Sequence, residues 1–207
     1  MLTIVFGDAR AALAAVRDIE RVHQRVRGTL DEAVGPFPHG TRYDASDPDL
    51  LLWVHATLVD TALVVYERFV GPLDAPERAR FWEESKITAR LLGVPDSHLP
   101  GSYDDFRLWF AAVVVSDTLA VGATGREVAA SILHPPLPAA LAPATALARY
   151  VTVGLLPPVV RARYGLSWTE LEERALSAFA LAVRHALPLL PAIVRDLPQA
   201  RRAGRSC

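Results

Sequence analysis

The chain has 207 residues, a formal charge of −1 and a single cysteine, Cys207, at its last position. That excludes an intrachain disulfide and a multi-thiolate metal site, and the near-zero charge removes any general electrostatic case for nucleic acid. Hydrophobic residues make up 51 % of the chain, enough for a sizeable core in one domain.

The pattern predicts an all-α fold, a single helical domain of about seven to nine helices around a buried central helix. The expected domain is 1–207, with a basic tail over 200–207. The start, MLTIVFGDAR, has a short apolar run but no basic opening and no small-residue cleavage site. A cytoplasmic protein is the expectation, with peripheral membrane contact left open by the apolar composition.

A first helix is predicted over Asp8 to Arg27, ended by Gly28. Val16, Ile19, Val22, His23 and Val26 share one face at helical spacing. Leu30 to Ser46 reads as a loop punctuated by glycine and proline. The central helix spans Asp47 to Gly71. It opens on an Asp-Pro cap and stops at Gly71-Pro72. Its apolar residues cover every side, the mark of a buried helix, while His55, Asp60 and Glu67 argue against a bilayer span. Its polar residues His55, Thr57, Asp60 and Thr61 then need partners inside.

A third helix over Asp74 to Leu92 is predicted to turn Phe81, Trp82, Ser85, Thr88 and Leu91 inward. Lys86, the chain's one lysine, is expected at the surface. A fourth helix runs from Ser102 to Leu119. Its valine-rich run could pass for a strand, but no partner strand is visible. Thr124-Gly-Arg-Glu127 and Ser167-Trp-Thr-Glu170 read as capping boxes opening two further helices. Ala139 to Leu155 and Val159 to Tyr164 are helical between proline breaks. A last short helix is expected near Pro198. No strand and no internal repeat is predicted.

No phosphate loop, HExxH, CxxC pair or GxSxG is present. The acidic pairs read as caps and solvated faces. Among the six histidines, His39, His98 and His134 lie in loops and His185 near a helix end. His23 and His55 sit on faces expected to be buried. Each is either a core histidine with a satisfied ring or a neutral imidazole facing an apolar cleft, the way helical proteins hold haem iron. Arg27, at i+4 from His23, is either a surface cation or a partner for a haem propionate.

At these residues the chain resembles the DUF2236 family of haem-dependent oxygenases, which includes the rubber oxygenase (latex-clearing protein) and the fungal oxygenase of mycophenolic acid biosynthesis. The matching pieces are IERVHQRVRG at 19–28, YDASDPDLLLWVHATLVDTALVVYERF at 43–69 and FWEESKITARLLGVP at 81–95. The closing LPPVVRARYGLSWTELEERAL is similar too. The resemblance implies an all-α fold holding haem b, and dioxygen-dependent cleavage of carbon–carbon double bonds in an apolar, isoprenoid substrate. It places the proximal iron ligand on His23, the arginine of the H-x-x-x-R pattern on Arg27, and His55 in the WVH block among the cofactor-binding candidates. In that family an arginine–threonine motif precedes the histidine helix on a further N-terminal helix. Here MLTIVFGDA matches only the end of such a helix, and Thr3 stands too near His23 with no arginine before it. The expectation is either an upstream start or a reduced distal pocket. The alternative function is a non-catalytic helical protein that binds an apolar ligand or a partner. A helix-turn-helix regulator is disfavoured, because no basic recognition helix is present.

Overall fold

A computed structural model describes Ile4 and residues 7–191. The helix expected near Pro198, the basic tail over 200–207 and Thr3 lie outside the described residues. The described chain is mostly helical, as expected, with eight α-helices joined by short 3-10 turns. They are α1 (Ala9–His23), α2 (Pro48–Phe69), α3 (Ala75–Leu91), α4 (Tyr103–Val115), α5 (Ala123–Leu133), α6 (Ala142–Leu155), α7 (Pro158–Tyr164) and α8 (Glu170–Ala186).

Two short strands correct the expectation of none: β1 (Arg27–Thr29) and β2 (Arg42–Asp44), hydrogen-bonded neighbours in a two-stranded sheet. The flanking bonds, Ala45 N–H to Val26 O at 2.9 Å and Leu30 N–H to Thr41 O at 2.9 Å, make the pair antiparallel. Three residues per strand is too short for an alternating pattern to be seen in sequence.

The chain forms two compact units. The first takes the described residues of 1–28, 42–107 and 182–207; the second takes 29–41 and 108–181. In the first unit, α2 starts as its sequence demands. Asp47 accepts the N–H of Asp49 at 2.8 Å, and Pro48 fills the first turn, where an N–H would be unpaired anyway. Leu52, His55, Ala56, Val59 and Leu63 form its buried face, which packs against α3. Leu50, Val54, Leu58 and Val65 lie on the opposite side and are 38–57 % exposed. By length and composition α2 could cross a membrane, a property it shares with core helices of soluble proteins.

The α3 helix is opened by a reciprocal cap, Glu77 N–H to Asp74 and Asp74 N–H to Glu77, both at 2.8 Å. Its inner side is Trp82, Lys86 and Ala89. Phe81, expected inside, is 37 % exposed, and Lys86, expected outside, is 6 % exposed. The spacing i, i+4, i+7 from Trp82 sets that face, and a lysine stem can line apolar surface while its ammonium finds acceptors.

In the second unit, two helix starts differ from the predicted caps. For α8 the reciprocal pair is Thr169 with Glu172: Thr169 N–H donates to Glu172 at 2.7 Å, and Glu172 N–H to Thr169 Oγ1 at 3.2 Å. The Ser167–Glu170 pairing is therefore two residues out of register. For α5 the cap is Gly122, which has no side chain to offer. Glu32 supplies the acceptor from a distant loop, taking the Thr124 N–H at 3.1 Å. The buried core of this unit includes Phe110, Val114, Val153, Leu176 and Ala180. Tyr150 of α6 donates its hydroxyl proton to Glu172 O at 2.6 Å.

Candidate functional site

Helix α1 is capped by Asp8, whose carboxylate accepts the Ala11 N–H at 2.8 Å. It ends at His23, four residues before the expected stop. Val16 is its one buried residue, while Ile19 and His23 are half-buried. Val22 and Val26, expected inside, are 58 % and 44 % exposed. The His23 ring therefore sits at the open end of the inward stripe, with uncovered valines beside it in sequence. Among the described residues it makes no hydrogen bond, ion pair or ring contact.

Arg27 does not share a helix face with His23. The helix has ended, and Arg27 begins β1, so the i, i+4 relation fails. Its exposed guanidinium donates to the carbonyl of Gln24 at 2.5 Å. The pairing of 27–29 with 42–44 pulled this residue into extended backbone.

His55 lies within the first unit's core, 4 % exposed. Its ring faces the indole of Trp82, centroids 6.3 Å apart and planes at 44°. Trp82 is fully buried, stacked on Phe106 at 4.4 Å, and donates its indole N–H to Pro100 O at 3.3 Å. Nε2 of His55 is buried with no hydrogen-bond partner. Burial lowers its pKa to about 4, because a charge there would lose its hydration without a compensating acceptor. The imidazole is thus neutral at ordinary pH.

Lys86, expected at the surface, is buried. Its ammonium donates to Glu83 at 2.7 Å and to Gly101 O at 2.8 Å, and lies 5.5 Å from the Trp82 ring centre. Of the other α2 polar residues expected inside, Thr61 is exposed instead, and Thr57 and Asp60 find partners. Thr57 donates to Val54 O at 2.8 Å, and Asp60 pairs with Arg107. Glu67 accepts the fork of Arg78, which raises the arginine pKa. Tyr103, the first residue of α4, has its pKa raised chiefly by burial.

No hydrogen bond, ion pair or ring contact joins His23, Arg27 and His55 to one another among the described residues, nor do any three acidic or histidine side chains there form a metal-binding group. Among the described residues no other side chain joins His23 as a metal ligand. A haem iron would ask one such imidazole of the protein, and His23 is the residue that would hold it. The unengaged His23 ring, with Val22 and Val26 uncovered beside it, is compatible with that role.

The chain matches, over residues 1–185, the family described as "ER-bound oxygenase mpaB/B'/Rubber oxygenase, catalytic domain". It is also 28 % identical over 197 residues to uncharacterized proteins of Mycobacterium bovis and Mycobacterium tuberculosis, covering 91 % of this chain and 71 % of each relative. No solved structure matches it.

Proposed function

This chain belongs to the family of mpaB and rubber oxygenase catalytic domains, and on that premise we propose that it is a haem b-dependent oxygenase. Membership implies dioxygen and an organic substrate. The finer reading is an apolar, isoprenoid-like substrate, handled by 1–207 acting as one catalytic domain in the cytoplasm. The observation that carries it is the imidazole of His23, without a hydrogen-bonding partner among the described residues at the end of α1, within the family's H-x-x-x-R pattern.

His23 would hold the cofactor through a ring nitrogen, and Arg27, from β1 rather than the helix face, would supply a cation for a propionate on leaving Gln24 O. When bound, the haem supplies the dioxygen chemistry, and the protein supplies binding, orientation and exclusion of water. Val22 and Val26 would cover the hydrophobic edge of the cofactor and keep water from it. The outward row of α2, Leu50, Val54, Leu58 and Val65, offers the first unit an apolar surface for a greasy substrate. His55 belongs to the surroundings of such a site only as a neutral polar group held against Trp82.

A visible absorption spectrum after haem reconstitution tests this. A Soret band in the wild type that His23→Ala abolishes supports it; no band in either defeats it. The same spectra decide the second reading, a non-catalytic helical protein taking an apolar ligand or a partner. The uncovered row on α2 favours that reading as well. It would leave cofactor content at zero whatever stands at residue 23.

A further inference from the structure

The second unit carries a pocket of about 460 Å³ that the oxygenase reading does not use. It is lined by Gly35 and Pro36, by residues of the turn from Asp117 to Val121, and by Arg126 and Arg163. The volume is that of a small-ligand site.

Its walls are built rather than incidental. Gly35 has φ +54°, and a Cβ there would lie 2.5 Å from Ala120 Cβ and 2.9 Å from Asp117 O. The loop therefore meets the 117–120 turn at a distance only glycine permits. Val34 and Phe37 exchange two backbone bonds, 2.8 and 3.0 Å, closing the loop on itself. Glu32 ties the same loop to the start of α5. Arg163 donates to Val114 O at 2.7 Å and to Val115 O at 3.1 Å, fixing α7 to the end of α4.

The polar groups differ in how far they are already used. Arg163 is engaged with those carbonyls. Glu32 is engaged with α5; the exposed guanidinium of Arg126 lies near enough to help lower the Glu32 pKa but makes no side-chain hydrogen bond among the described residues. Leu119, Ala120, Val121 and Pro36 supply apolar surface. Asp117 adds one negative charge to the lining. A guanidinium fork with free donors beside apolar walls recognises a carboxylate on a hydrocarbon body. A carboxylate in the same lining disfavours a second acid group.

We propose that this pocket binds a small organic monocarboxylate, its acid on Arg126 and its hydrocarbon on the Leu119–Val121 turn. The site is independent of the haem reading. The test is calorimetric titration of the full chain with octanoate, octanol, suberate and inorganic phosphate. Octanoate is expected to bind, octanol and phosphate at least tenfold more weakly, and suberate at least tenfold more weakly as well. Arg126→Ala should weaken octanoate at least tenfold with an unchanged circular-dichroism melt, and Asp117→Asn should restore suberate. Octanol binding as well as octanoate, phosphate binding as well as octanoate, unaltered octanoate affinity in Arg126→Ala, or no octanoate binding at all would each overturn the proposal.

Discussion

The rings of His55 and Trp82 meet between α2 and α3 with centroids 6.3 Å apart, and the imidazole's Nε2 has no partner there. A buried polar atom left unpaired costs on the order of 1–3 kcal/mol. His55→Leu in haem-free protein should therefore be neutral to stabilising at pH 8, read as the urea midpoint.

The same histidine makes stability depend on acid. Its folded pKa lies at about 4, below the ordinary value of 6.5. Above pH 6.5 both folded and unfolded forms are neutral, and the group adds no pH dependence. As pH falls from 6.5 to 4 the unfolded chain takes up a proton that the folded chain refuses. Stability should drop across that window by up to about 3 kcal/mol. Urea titrations from pH 8 to 4 should show this fall, and His55→Leu should flatten it. A slope equal in both proteins would mean that other groups carry it.

Lys86 and Glu83 form an asymmetric pair, their side chains 7 % and 58 % exposed. Lys86→Ala removes the donor to the carbonyl of Gly101 and the stem lying beside Trp82. It should cost about 2–3 kcal/mol. Glu83→Gln, at the wet end, should cost under about 1 kcal/mol. Thermal melts of the two variants separate these effects, and equal costs would contradict a buried anchoring role for the lysine.

Gly154 is buried on α6 against α8. A Cβ there would lie 2.3 Å from Leu176 Cδ2 and 2.7 Å from the Trp168 ring. Alanine normally favours a helix over glycine by about 1 kcal/mol. Here Gly154→Ala should instead destabilise by about 1–3 kcal/mol through overpacking. A raised melting temperature would show that the helices separate without penalty.

Much of the helical frame was legible because it rests on local chemistry. Asp47-Pro48 and Asp74 announce α2 and α3 by capping alone. The valine run ending α4 was rightly kept helical for want of a partner strand. What was not legible depends on the rest of the fold. Glu32 caps α5 from 92 residues away, which no local motif can encode. The Thr169 box was hidden by a competing Ser167 two positions earlier. Lys86 is buried because Gly101 O lies within reach of it, a fact of tertiary placement. At the candidate site the histidines were visible as residues on apolar faces, but their difference was not. His55 is enclosed, whereas His23 is half-open, because α1 stops at that residue. The short β1 strand, invisible in the pattern, also removed Arg27 from the helix face.

Haem bound per chain, measured by pyridine haemochrome after reconstitution and gel filtration, tests the central claim most directly. Wild type and His55→Leu should each retain about one haem per chain, and His23→Ala almost none. Haem retained equally by His23→Ala, or by no variant including the wild type, would contradict it.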